Sequence, residues 1–174
     1  MKKIIVIVAV MFVGIGVYAQ GEAVSKFFSK YQGDDSFSQV SVSSKMFGLF
    51  TNMELEDKDD QEVLDAISKL KGLKVLAKDD ARNARELYDE ANKMLPKGVY
   101  EELMYVRDKE KDMRFFITEK GGKISELVMI AGGGTEFMLM TLFGEIDLKT
   151  ISKIGRKMDV DGLKDLERLK DKKN

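Results

Sequence analysis

Two carboxylates, Glu145 and Asp147, stand two residues apart directly after an apolar run, and they are the best catalytic pair the chain offers. A glycosidase needs two such groups roughly 5 to 10 Å apart in a cleft. Residues i and i+2 share a side only in extended backbone, and Asp147 precedes Leu148, Ile151 and Ile154 at helical spacing, so it reads more simply as a helix N-cap. Ser68-x-x-Lys71 could bring an amine to a hydroxyl. No Ser-Asp-Asn or Lys-Thr-Gly element supports it, and a lysine at a helix end complements the helix dipole with no chemistry at all. Gly132-Gly133-Gly134 would cradle a phosphate only if a helix opening with Lys-Ser/Thr followed. A second strand-like run follows instead, which makes the glycines a hairpin loop. The acidic run from Glu54 to Glu62 lacks the turn glycine and alternating ligands of a calcium loop, and its Asp59-x-x-Glu62 is expected to cap a helix.

The chain has no histidine and no cysteine. That removes the usual zinc and copper sites, the Ser-His-Asp and Cys-His nucleophile systems, and any histidine pH switch. No catalytic residue, metal ligand or cofactor is assigned, and a non-enzymatic protein is expected. The residues best suited to meet a ligand or partner are apolar. They are Met46 and Phe50 on a short amphipathic stretch, and Met138, Met140 and Leu142 on one face of a strand. A methionine stripe more often fills a core than binds a partner.

Helices must position these residues first. Val24, Phe27, Phe28 and Tyr31 fall at i, i+3, i+4 and i+7, which predicts a helix over 22–31 that lies on a sheet. Phe37 to Ser44 alternates and predicts an edge or half-exposed strand. Met46, Leu49, Phe50 and Met53 then have helical spacing, with Ser43 or Ser44 as cap. Val63, Leu64, Ile67 and Leu70 predict a helix closed by Gly72, and Leu73 to Ala77 a short strand. Asp79 or Asp80 is expected to cap a helix with the stripe Ala84, Leu87, Tyr88, Ala91 and Leu95, stopped by Pro96.

After Gly98 the period changes. Tyr100 to Asp108, Met113 to Glu119, Lys123 to Ala131 and Glu136 to Gly144 are strand-length, and their separators are hairpin-length, which forces antiparallel neighbours. Met113, Phe115 and Ile117 make a core face with Arg114 and Thr118 opposite. Phe137 to Phe143 is apolar on both faces apart from Thr141, as expected of a strand covered on both sides. Asp147 then caps a helix with the stripe Leu148, Ile151, Ile154 and Met158, and Leu163, Leu166 and Leu169 mark a last amphipathic turn or two. The fold class is α+β: an antiparallel sheet dominated by a C-terminal four-strand meander, with helices packed mainly on one face.

Lys2 and Lys3 precede an apolar run from Ile4 to Val17, and Val17-Tyr18-Ala19 is small or short where a signal peptidase reads. The run falls short of the roughly 20 residues a spanning helix needs. A cleavable signal peptide over 1–19 and a single domain over 20–174 are expected, exported to the periplasm or beyond, with no transmembrane segment after cleavage and no cysteine for a lipid anchor. Removing residues 1–19 moves the formal charge from −1 to −3. Such a mixed, mildly acidic surface argues against nucleic acid, which needs a positive footprint.

The signal, the Lys26-Phe27-Phe28 helix running into Val40-Ser41-Val42-Ser43, the Arg114-Phe115-Phe116-Ile117 strand and the phrase Leu142-Phe143-Gly144-Glu145-Ile146-Asp147-Leu148-Lys149-x-Ile151-Ser152 together resemble domain-of-unknown-function family 4252, small exported proteins of Bacteroidota. The resemblance covers nearly the whole mature chain. It implies a Gram-negative export route and carries over no catalytic residue. The function expected is binding of a protein or envelope component. Binding of a small apolar ligand or lipid between sheet and helices is the alternative, with a carboxylate hydrolase behind both; the oligomeric state is open.

Overall fold

The computed structural model describes residues 21–157, apart from 52, 55, 108 and 110, with side chains as far as Ser152. The export signal, the Ile154 side chain, Met158 and the turns at Leu163, Leu166 and Leu169 lie outside the described residues.

Six strands form one antiparallel sheet. They are β1 (Ser38–Ser43), β2 (Leu70–Lys78), β3 (Glu101–Arg107), β4 (Asp112–Lys120), β5 (Lys123–Gly133) and β6 (Glu136–Ile146), in the order β1-β2-β6-β5-β4-β3. The meander β3 to β6 is therefore continuous, and β6 lies inside the sheet between β2 and β5, as its two apolar faces require. β1 is an edge, mostly exposed.

The helices are α1 (Glu22–Tyr31), α2 (Ser44–Gly48), α3 (Lys58–Ser68), α4 (Ala84–Met94) and α5 (Leu148–Lys157). The main packing of helix on sheet is on one face, where α4 lies across β5 and β6 with α1 beside it. Ala84, Leu87, Tyr88 and Ala91 of α4 and Val24, Phe27 and Phe28 of α1 are buried there against Val128, Ile130, Phe137, Leu139 and Leu76. The expected stripe of α4 is thus the one that packs. Leu95 is extended (ψ 119°), since the residue before a proline is driven out of helical backbone. The opposite face carries Met113, Phe115, Ile117, Leu127, Met129 and Leu142, with Phe47 of α2 and Ile151 of α5 in the same cluster.

Several local expectations are corrected. Gly72 does not close a helix: α3 ends at Ser68, and Gly72 pairs with Ser43 on one side and Phe143 on the other. Hydrogen-bonding partners on both sides draw the chain into the sheet from Leu70 onward, with an irregularity between Leu70 and Gly72. Lys71 is consequently in a strand, and no helix end lies there for it to complement. The cap of α3 is Asp57, two residues before the expected one, whose side chain accepts from the amides of Asp59 and Asp60 at 2.8 and 3.0 Å. Neither Asp79 nor Asp80 caps α4, which begins after Asn83. Asp80 instead takes a left-handed turn (φ 51°), and the following Ala81 amide docks on the Thr135 carbonyl at 2.7 Å. The Met46, Leu49, Phe50, Met53 stripe does not form, because α2 has only five residues and buries Phe47, while Met46, Leu49 and Met53 are exposed.

Gly121 and Gly122 both have positive φ (61° and 75°), the backbone of a tight two-residue hairpin. The next hairpin is tighter than the glycine run suggests, since β5 includes Gly132 and Gly133 and only Gly134 and Thr135 turn. Gly132 faces α4, and a Cβ there would stand 2.7 Å from the Tyr88 Cβ and 3.2 Å from the Ala84 carbonyl.

Candidate functional site

The apolar residues singled out from the sequence are only partly brought together. Met138, Met140 and Leu142 share one face of β6, where burial deepens from exposed Met138 through half-buried Met140 to buried Leu142. Met46 is exposed on α2 and Phe50 is half-buried just after it. Phe47, not Met46 or Phe50, is the buried member of the cluster that holds Leu142.

The catalytic candidates resolve into structural roles. Glu145 accepts from the Lys123 ammonium at 2.7 Å, which lowers its pKa, and Asp147 accepts from the backbone amides of Lys149 and Thr150 at 2.8 and 3.3 Å, as a cap does. The Ser68 hydroxyl donates to the Asp65 carbonyl at 2.7 Å. Among the described residues no group of three or more acidic side chains could hold a metal ion.

A different cluster has the geometry of a recognition site. Asp112 opens β4, nearly buried, and faces Arg107 across the end of the β3–β4 hairpin. Its carboxylate accepts from Arg107 Nε at 2.8 Å and Nη2 at 3.3 Å, from the Tyr105 hydroxyl at 3.1 Å, and from Arg85 of α4 in a short contact. Arg107, then Arg85, hold the Asp112 carboxyl well below the usual carboxylate range against the opposing effect of burial. Aromatic faces fix the planes of the cations. Arg85 lies 5.1 Å from the Tyr88 ring, and Arg107 and Arg114 lie 5.3 and 4.8 Å from the Tyr105 ring. Beyond them opens a cleft of about 410 Å³, lined by Arg85, Arg107, Lys109, Lys111, Asp112, Gly133 and Gly134. Among the described residues that lining holds four cations and one carboxylate, and two of the cations have further partners: Arg85 pairs with Asp89 at 3.7 Å and Lys111 with Glu136 at 3.8 Å.

A second buried carboxylate, Glu126 of β5, lies on the same face of the sheet and has no cation in contact. It accepts from the Thr141 hydroxyl and the Tyr100 hydroxyl, both at 3.0 Å, and the Gly21 amide donates to Tyr100 at 3.2 Å. Burial raises the Glu126 pKa, the two hydroxyls opposing it, and burial together with the neighbouring carboxylate pushes the Tyr100 phenol up.

The cluster at Asp112 was missed because its members come from α4, β3, the following loop and β4, and no spacing in the chain unites them. Only Arg107 and Asp112 left a trace, as opposite charges flanking a hairpin-length separator.

A family model described as a domain of unknown function (DUF4252) matches residues 31–154. No curated protein and no solved structure matches the chain.

Proposed function

The chain belongs to the domain-of-unknown-function family DUF4252, and from that premise we propose an exported protein that binds a partner or envelope component rather than transforming it. The observation that carries this reading is the cleft beside Asp112. Its arginines are held in place by a carboxylate whose pKa they keep well below the usual range, which makes it a poor general acid or base near neutrality. Arg85 and Arg107 are about half exposed or more, with donors left to offer a ligand. Guanidinium donors fixed in orientation at an opening suit an anionic group. Export is supported by the basic and apolar start of the chain and its Val17-Tyr18-Ala19 end. No described helix is long and apolar enough to cross a membrane.

Two measurements test the proposal. Intact-mass analysis of the protein expressed in a Gram-negative host is expected to show a periplasmic species beginning at Gln20; a cytosolic species retaining residues 1–19 would overturn export. Immobilised full-length protein is expected to retain a component of an envelope extract saturably, and the Arg85→Ala/Arg107→Ala protein to lose it. Equal retention by both would place binding elsewhere.

A further inference from the structure

We infer that two copies of this chain pair through β1, strand against strand and antiparallel, about a two-fold axis that passes through Val40.

The two edges of the sheet are built differently. β3 closes one edge with Glu101 and Glu102 at its start, Arg107 at its end and an irregular register between Glu102 and Met104, features by which a protein keeps an edge from pairing with another chain. β1, at the other edge, has none of them. Ser38-Gln39-Val40-Ser41-Val42-Ser43 carries no charge and no proline, its register with β2 is regular throughout, and every residue but Val42 is exposed. Six residues is an ordinary strand length, so the edge is not protected by being short. An unprotected row of backbone amides and carbonyls is a template for one more strand.

Apolar exposure gathers at the same place. Val40 is 50% exposed, and Met46 and Leu49, on and just after α2, are exposed by 50% and 65%. α2 packs on β1 and β2, so these side chains stand beside the open edge. The strand that fits such an edge is uncharged and brings an apolar flank of its own, and β1 meets that description. Charge sets the direction. The chain enters β1 from Asp34-Asp35 and leaves it through Lys45, all three exposed. Asp34 is engaged by Ser36 and faces Lys78, so the pairing rests on Asp35 and Lys45, neither of which has an ion-pair partner among the described residues. Parallel strands would set Lys45 beside Lys45 and Asp35 beside Asp35. Antiparallel strands set each Lys45 by the Asp35 of the other copy, and like charges no longer meet. Facing residues of an antiparallel pair lie on one side of the sheet, so the axis passes through a residue. At Val40 it makes the half-exposed valines face each other, sets Gln39 opposite Ser41 and brings Lys45 level with Asp35. Two six-stranded sheets then continue as one. The paired segment is short, which makes the interface small and the dimer a weak one.

Protein purified from an exporting Gram-negative host is examined by sedimentation equilibrium over about 1 to 300 µM, where a monomer–dimer equilibrium with a dissociation constant on the order of 10 µM is expected. Val40→Lys sets two cations against each other at the axis and is expected to weaken the dimer at least about 10-fold, with a thermal transition within about 2 °C of the parent's because the side chain is exposed. Lys45→Asp is expected to weaken it about 3-fold, and Lys45→Asp/Asp35→Lys to restore it. The chain has no cysteine, so Val40→Cys supplies a single thiol. Facing Cα atoms of an antiparallel pair stand about 4.5 to 5.5 Å apart, within disulfide range, and mild oxidation is expected to link Val40→Cys to its copy while Glu101→Cys on the β3 edge stays monomeric. A monomer over the whole range would overturn a second copy as the occupant and leave the edge to another chain. A dimer that Val40→Lys leaves intact and Val40→Cys does not cross-link would overturn β1 as the interface, and a charge exchange that restores nothing would overturn the antiparallel register.

Discussion

Asp112 and Glu126 are both nearly buried carboxylates on the same helix-covered face of one sheet, yet the protein treats them in opposite ways. Asp112, beside the start of α4, is surrounded by guanidinium groups that keep it ionised. Glu126, six residues from the Asp112 level along β5, has only two hydroxyls, and burial drives it toward its neutral form. Position along a strand explains the difference. The Asp112 end opens to solvent, so long cations can reach the carboxylate while their heads stay wet. At the Glu126 end Tyr100 donates to the carboxylate and the Gly21 amide donates to Tyr100, and no described cation takes part in that network. The carboxylate met by exposed arginines fixes their orientation at the surface, while the one met only by hydroxyls ties strands together within the interior.

The contrast can be broken most forcefully from the sheet itself. Gly132→Ala is expected to cost about 3 kcal/mol in denaturant unfolding, because its methyl group meets the Tyr88 Cβ and the Ala84 carbonyl, neither of which can yield without moving α4. Moving α4 would take Arg85 away from Asp112; a loss under about 1 kcal/mol would show that the helix shifts freely and that Gly132 does not set the clamp.

Asp112→Asn should come next, at about 1.5 kcal/mol near pH 7, a modest figure because its cations are largely solvated. The sign follows from linkage. The folded pKa lies below the ordinary aspartate value of 3.8, so the stabilisation is present above that value and is lost as pH falls toward the folded one. Unfolding curves of parent and variant should therefore converge below about pH 3; a constant gap down to pH 2 would rule out the ionised clamp as its source.

The smallest effect belongs to Glu126→Gln. Here the folded pKa is raised above 4.5, so the favourable contribution is complete below 4.5 and is lost as pH rises through the folded value. The variant should match the parent near pH 4.5 and exceed it by up to about 1 kcal/mol at pH 8. A variant less stable at pH 8 than at pH 4.5, relative to the parent, would mean that Glu126 is comfortably ionised and the contrast is false.

What could be read in advance divides along the range of the interactions. The α4 stripe and the strands of the meander rest on periods of 3.6 and 2 within a few residues, and those segments formed as expected. Gly72 was misjudged because its place is decided by Ser43 and Phe143, one of them some 70 residues away. The Met46 stripe failed for a related reason: a helix of one turn cannot develop a periodic face, and the sheet chose Phe47. The Asp112 cluster lies at the far end of this scale, since Arg85 reaches it across 27 residues from another layer. Chemistry assembled from several elements leaves no local period to detect.

The order of the strands also bears on how the chain reaches this structure. β3 to β6 can zip up through successive hairpins, each a local and fast event. β1 and β2 join them only along the pairing of Leu70–Lys78 with 137–144, where Gly144 (φ 135°) lets the backbones meet: a Cβ there would lie 2.6 Å from the Lys69 carbonyl. Closing that contact spans about 65 residues, the longest loop among the strand pairings and the costliest single closure. The β2–β6 pairing is thus the one the chain is expected to close last, after the hairpins of the meander bearing Glu126, Arg107 and Asp112.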